Sequence, residues 1–348
     1  MAPLVVFVLV MFAGTAFITV ALIPAIASIA IDHKIRPSRP LGGALAAASV
    51  AIVASPVSAA TAVSVGFLAE KNVSLGQILT VTIPAGLFGV LAMGTWLYVM
   101  SRRTTWEPPA AERELSEATN ARPADEPSDL PVGARRSVVI FALGVIAVIL
   151  CGSLSQLRPE VMVDGKTTRI ALTALLPLIM FAVGALIMLL CRVEARSVME
   201  APTFRAGFVA IVALIGVSTL ASTFVGGNED YLVNPLKELA SGGVILLAIV
   251  IALLAAVTSS QAATLSAILP IALPAGVAPA VMVGVLPATG GNGLLPINGY
   301  EYVCVEMDTT ESTKVGRWIV NHFAFLPSLA ATTVATCAGL AIAAVTLG

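Results

Sequence analysis

The stretch VASPVSAAT, residues 53–61, lies inside an uncharged run that extends from residue 41 to residue 69. It sets two serines, a proline and a threonine where only hydrocarbon should surround the chain. Proline inside a helix removes a hydrogen bond and clashes with the preceding turn. In lipid the freed backbone groups must be satisfied, so such a break survives only packed in protein or lining a cavity. The stretch therefore predicts a broken transmembrane helix, with Pro56 forcing the opening.

The rest of the chain agrees that lipid is the solvent. The 348 residues are 58% hydrophobic and 11% charged, against about 25% charged in soluble proteins. Mean hydropathy is +0.97. Charge-free runs cover 1–31, 41–69, 72–101, 137–157, 170–191, 206–228 and 239–300. Each suffices for a crossing, which needs about 20 apolar residues. The runs do not alternate polar and apolar, so barrel strands are excluded. The expected fold is an all-α polytopic membrane protein. The sequence AIASIA imitates a signal-peptidase site, but the basic leader is lacking and the apolar run is too long.

Residues 104–133 hold five prolines and an acidic excess. They cannot bury a core and read as a flexible loop. The organisation expected is a first repeat over 1–103, a flexible cytoplasmic linker over 104–136 and a second repeat over 137–348. The two halves share a pattern. Pro40, Pro56 and Pro84 are spaced 16 and 28 residues apart, and Pro279, Pro296 and Pro327 are spaced 17 and 31. Upstream of each set, small polar residues interrupt an apolar run. These are FAGTAF (12–17) before Pro24 and SSQAAT (259–264) before Pro270. The order predicted in each half is re-entrant hairpin, broken helix, loop, helix. With both hairpins re-entrant, segments 32–40, 101–136, 191–205 and 305–317 carry fourteen Lys and Arg against five on the other side. That places them in the cytoplasm and makes the halves an inverted repeat. Interrupted spans at matching places are the sequence pointer to a transporter site.

Broken helices create new helix ends. N-termini carry partial positive charge and bare N–H groups that suit a carboxylate, whereas C-termini and unwound carbonyls suit Na⁺. The site residues expected are Ser55, Pro56, Ser58 and Thr61 at the first break and Pro296, Asn298, Gly299 and Tyr300 at the second. Gly14 and Thr15 cap the first hairpin, and Ser260, Gln261 and Thr264 the second. The competing reading is that such hydroxyls bond back to their own helix or join neighbours. TGGNG (289–293) follows no strand and reads as helix unwinding. No Asp, Glu, Lys, Arg or His lies within 41–69 or 239–300. A relay through buried carboxylates is therefore not visible there, which favours Na⁺ coupling or exchange and leaves H⁺ carried on the substrate open. No cofactor or metal site is expected. Cys151, Cys191, Cys304 and Cys337 show no ligand spacing, and no catalytic motif supports an enzyme.

IRPSRPLGGALAAASVAIVASPVSAAT (35–61), PTFRAGF (202–208), SQAAT (260–264) and EMDTTESTKVGRWIVNHFAFLP (306–327) resemble segments of the anaerobic C4-dicarboxylate transporter (Dcu) family. The resemblance implies secondary transport of aspartate, fumarate, malate and succinate across the bacterial inner membrane, often as exchange. It implies site residues at Thr15, Ser55, Pro56, Ser58, Gln261, Thr264 and Pro296. It also implies a small dicarboxylate and the lipid bilayer as partners, with no nucleic acid. A homo-oligomer, another small organic anion as cargo, and a role as membrane-embedded partner of a sensor kinase stay open. Ala16 and Phe17 stand where the family tends to have Gly-Asn, Ser28 and Ile31 replace residues usually charged, and LPINGY differs from the usual proline-rich form. Three spans precede the second hairpin and none the first, so a missing N-terminal prefix is expected, from a misplaced gene start or a truncation. The DNA upstream of Met1 decides between these.

Overall fold

The structure is a computed structural model that describes residues 1–103, 106–107, 133–163, 166–170, 172–200, 204, 243–308, 310–316 and 321–348. Nearly all of the expected linker and the expected span at 206–225 lie outside the described residues.

The first half begins with α1 (Ala2–Ala13) and α2 (Ile18–Asp32). Gly14 ends α1 at φ 72°, with its N–H on Val10 O at 2.8 Å. Left-handed backbone without a Cβ penalty is what glycine supplies at such a stop. Next come α3 (Ser38–Ile52), α4 (Ala59–Leu68) and α5 (Leu75–Arg103). The break between α3 and α4 falls on the VASPVS stretch. Ser58 N-caps α4 by accepting Thr61 N–H at 3.1 Å.

In the second half α6 (Ala134–Ser153) and α7 (Leu172–Leu190) flank a short antiparallel pair, β1 (Glu160–Val163) with β2 (Lys166–Arg169). These two short strands are a local addition to a mostly helical chain. They pair their backbone locally between two helices. The helix also starts at Ala134, so the last three residues of the expected linker belong to it. A short α8 (Ala195–Glu200) follows.

Then α9 (Val244–Thr258) and α10 (Gln261–Ala272) form the second interrupted pair. Ser259 turns the chain at φ 52°, and Ser260 N-caps α10 by accepting Ala263 N–H at 3.2 Å. The second broken helix opens earlier than Pro296. α11 (Pro279–Val285) gives way to a 3₁₀ segment, Leu286–Gly293, and α12 (Gly299–Met307) resumes after it. Three glycines and Pro287 in eight residues weaken the α pattern there. α13 (Phe325–Thr346) closes the chain.

Helices of the two halves pack on one another. α5 and α13 form the most extensive pair among the described residues. α1 packs on α3, and α9 packs on the 3₁₀ segment. α10 of the second half packs on α4 of the first, and α2 of the first packs on α12 of the second. Two buried clusters result, one around α4, α9, α10 and α11, the other around α1, α2, α3, α12 and α13. Small residues permit the close approaches. A Cβ on Gly89 of α5 would stand 2.5 Å from Ala331 O on α13, and one on Gly42 of α3 would stand 2.7 Å from Phe323 O. By length and apolar composition α5, α6 and α13 can each cross a bilayer.

Candidate functional site

The breaks meet through a continuous series of contacts. The tip of the first hairpin touches the first break, where a Cβ on Gly14 would come within 3.0 Å of the Val57 side chain. Phe17, at the start of α2, stands edge-on to Tyr300 near the start of α12, with ring centroids 6.1 Å apart. Asn292 Nδ2 donates toward Tyr300 Oη at 3.4 Å. Gln261, the first residue of α10, donates from Nε2 to Ser49 O at 2.6 Å and to Asn292 Oδ1 at 3.5 Å. Thr289 Oγ1 lies 3.2 Å from Gln261 Oε1 and 2.7 Å from Leu286 O. Asn298 Nδ2 donates to Asn292 O at 2.7 Å. Uncharged polar side chains thus join the starts of α10 and α12, the start of α2 stacks on Tyr300, and the start of α4 lies against the tip of the first hairpin.

Burial makes these bonds matter. Gln261, Thr289, Asn292, Asn298 and Tyr300 are all buried, and an unpaired polar group there would cost about 1–3 kcal/mol. Asn298 and Glu301 form a capping box at α12, with Asn298 N–H on Glu301 Oε2 at 3.4 Å. Glu301 Oε1 has no hydrogen-bond partner among the described residues.

The expected site residues divide into two groups. Gln261, Asn298 and Tyr300 join the network that crosses between elements. Ser55, Pro56, Ser58 and Thr61 are buried at the first break, but their hydroxyls serve the turn itself. Ser55 Oγ accepts Val57 N–H at 3.3 Å, and Thr61 Oγ1 reaches Ser58 Oγ at 3.1 Å and Val53 O at 3.4 Å. Thr15 Oγ1 accepts Phe17 N–H at 3.3 Å. Thr264 bonds back to Ser260 O at 2.8 Å and to Thr258 Oγ1 at 2.9 Å. Pro296 is buried in the second break, and Gly299 opens α12. Three participants escaped the sequence reading: Ser49, Thr289 and Asn292. Thr289 and Asn292 lie in TGGNG, which reads as mere unwinding. Glu301 sits one residue past the end of the charge-free run.

A second polar knot lies at the far end of α12. Asp308 Oδ1 accepts Thr310 N–H at 3.2 Å and its hydroxyl at 2.6 Å. Asp308 Oδ2 accepts the Ser312 hydroxyl and Thr313 N–H, both at 2.7 Å. Ser312 Oγ in turn accepts Ser38 N–H at 2.9 Å, fastening this loop to the start of α3. Burial alone would push the carboxyl up, but the bonds from Thr310, Ser312 and Thr313 outweigh it and hold Asp308 below the usual carboxylate range.

Residues 1–347 match the anaerobic C4-dicarboxylate membrane transporter family. The chain belongs to that family. It is similar to the C4-dicarboxylate transporter DcuA of Escherichia coli K12, 31% identical over 98% of this chain and 78% of the relative. The anaerobic C4-dicarboxylate transporter DcuB of Escherichia coli O6:H1 is 32% identical over 99% and 78%. DcuA of Wolinella succinogenes is 28% identical over 100% and 79%. No solved structure matches. This Dcu-family chain is a membrane transporter and not an enzyme. Its apolar helices make it a multi-pass protein of the bacterial inner membrane, since outer-membrane spans are barrels.

Proposed function

We propose that the chain is a secondary transporter of C4-dicarboxylates, with fumarate, malate, succinate and aspartate as cargo. It works by exchange or by symport with Na⁺ or H⁺. The observation that carries this reading is the meeting of the starts of α2, α10 and α12 around Gln261, Asn292 and Tyr300. Each helix N-terminus presents about half a positive charge, so the three together offset most of the charge of a dianion. No basic side chain is then required at the site. The relatives are C4-dicarboxylate transporters by name, which supports cargo of that class.

The halves act as an inverted repeat with α1–α2 and α9–α10 as re-entrant hairpins. α10 has 12 residues and α9 has 15, about 18 and 22 Å of helix. Each is short for a hydrocarbon core of about 30 Å. The exchanged contacts, α10 on α4 and α2 on α12, support a two-fold relation between the halves. Ser55, Ser58 and Thr61 release their turn bonds to the substrate when the breaks open.

The test is exchange in proteoliposomes. Vesicles loaded with unlabelled succinate should accumulate radiolabelled fumarate, and unlabelled malate should compete. Inserted, folded protein that shows no exchange with any of the four dicarboxylates refutes the assignment.

A further inference from the structure

Glu301 is a carboxyl out of place. It is 1% exposed, Oε2 takes one long bond from Asn298 N–H at 3.4 Å, and Oε1 takes none among the described residues. No cationic side chain pairs with it there. Among the described side chains, its ionisable neighbours on α12 are Tyr300, beside it, and Cys304, one turn on, both buried. The facing helix α2 has no ionisable residue before Asp32. α3 shares the buried cluster with Tyr300 and Cys304, and its only ionisable residue is Arg39 at the far end, bound to Met100 O at 3.4 Å. His322, in the loop before α13, has Nε2 on Leu294 O at 3.0 Å.

An isolated carboxylate away from water and cations is a costly charge. A capping box explains one oxygen and a glutamate at that position, but a glutamine serves a capping box equally well. The free oxygen and the acid itself have no structural use in this arrangement. Tyr300 next to it reaches Asn292, which reaches Gln261. The carboxyl therefore sits one residue from the network where the helix starts meet.

We propose that Glu301 carries the proton that this transporter moves together with its dicarboxylate; this rests on the function proposed above. With substrate bound, a hydronium on one side gives its proton to the carboxylate: one hydronium O–H bond breaks, one O–H bond forms on Glu301, and water is left. When the site opens to the other side, that O–H bond breaks, a water there accepts the proton, and the substrate leaves with it. Intramembrane ionisable residues commonly mark such paths.

The experiment uses the full chain and fumarate as the probe. Calorimetry in buffers of different ionisation enthalpy counts protons taken up on binding, and proteoliposomes with an imposed inward proton gradient report net uptake. Wild type should take up about one proton per fumarate and gain several-fold in gradient-driven uptake. Glu301→Gln keeps the capping box, so it should exchange fumarate within about threefold of wild type but show neither proton uptake nor response to the gradient. Glu301→Asp should restore both. If Glu301→Gln responds to the gradient as wild type does, or wild type takes up no proton, the proposal is overturned. If the Gln variant does not insert, Glu301→Asp decides. The midpoint of the pH dependence must move with it, and an unmoved midpoint overturns the proposal. Wild type that neither binds nor exchanges fumarate overturns the transport function, and this inference with it.

Discussion

Gln261 Nε2 lies 2.6 Å from Ser49 O, so the tip of the second hairpin is bonded to a helix of the first half. The two residues are 212 positions apart. Ser49 lies one turn before α3 ends, so its carbonyl is one of those that lose their intrahelical partner when the helix breaks. Gln261 satisfies it. Replacing Gln261 with Leu should leave that carbonyl short of a partner, while the Thr289 hydroxyl keeps Leu286 O. We expect a loss of about 1–3 kcal/mol and of fumarate exchange. Thermal unfolding in detergent and vesicle exchange read the two effects. An unchanged midpoint would mean that the bond contributes nothing.

Ser58 holds the start of α4 through Thr61 N–H. Ser58→Ala should cost about 1 kcal/mol, while Ser58→Asn, a good cap, should cost little. The double variant Ser55→Ala with Ser58→Ala should lower the apparent affinity for fumarate roughly ten- to a hundredfold if both hydroxyls turn to the substrate. Wild-type uptake kinetics in the double variant would remove these residues from the site.

Gly89 and Gly94 lie one turn and a half apart on α5 and predict opposite outcomes. A Cβ at Gly89 meets Ala331 O at 2.5 Å, whereas one at Gly94 meets nothing within 4 Å. Gly89→Val should destabilise the protein by about 1–3 kcal/mol by forcing α5 from α13. Gly94→Ala should be neutral or should stabilise by up to about 1 kcal/mol. Melting temperatures of the two variants in one detergent make the comparison, and equal behaviour would contradict the α5–α13 contact.

Asp308 is held below its ordinary range by its partners at 310–313. A carboxyl lowered in the folded state contributes stability above its unfolded value, about 4. That contribution is lost as pH falls through the folded value. Stability measured from pH 6 down to pH 3 should therefore fall in its acid limb, and Asp308→Asn should flatten that limb while lowering stability at pH 6. An unchanged acid limb would show that the knot is formed in neither state.

Composition alone determined that this chain is helical and lives in lipid, because charge-free runs of about 20 residues admit no other solvent. The prolines and small polar residues located the interruptions at 14–17 and 259–260 and the first break, since proline and Gly-Thr or Ser-Ser interruptions act within a turn of where they stand. Gly14 and Ser260 were legible as caps for the same reason, a cap being a local bond, whereas Ser58, read as a site hydroxyl, caps α4. The second break was misplaced toward Pro296, because glycines at 290, 291 and 293 unwind a helix without any single residue forbidding it. The partnership of Gln261 with Ser49, Thr289 and Asn292, and the isolation of Glu301, lay beyond the sequence. Those follow from which helix of one half lies against which helix of the other. Only the packed tertiary structure decides that, since a side chain's partner across 212 residues leaves no local signal in either stretch.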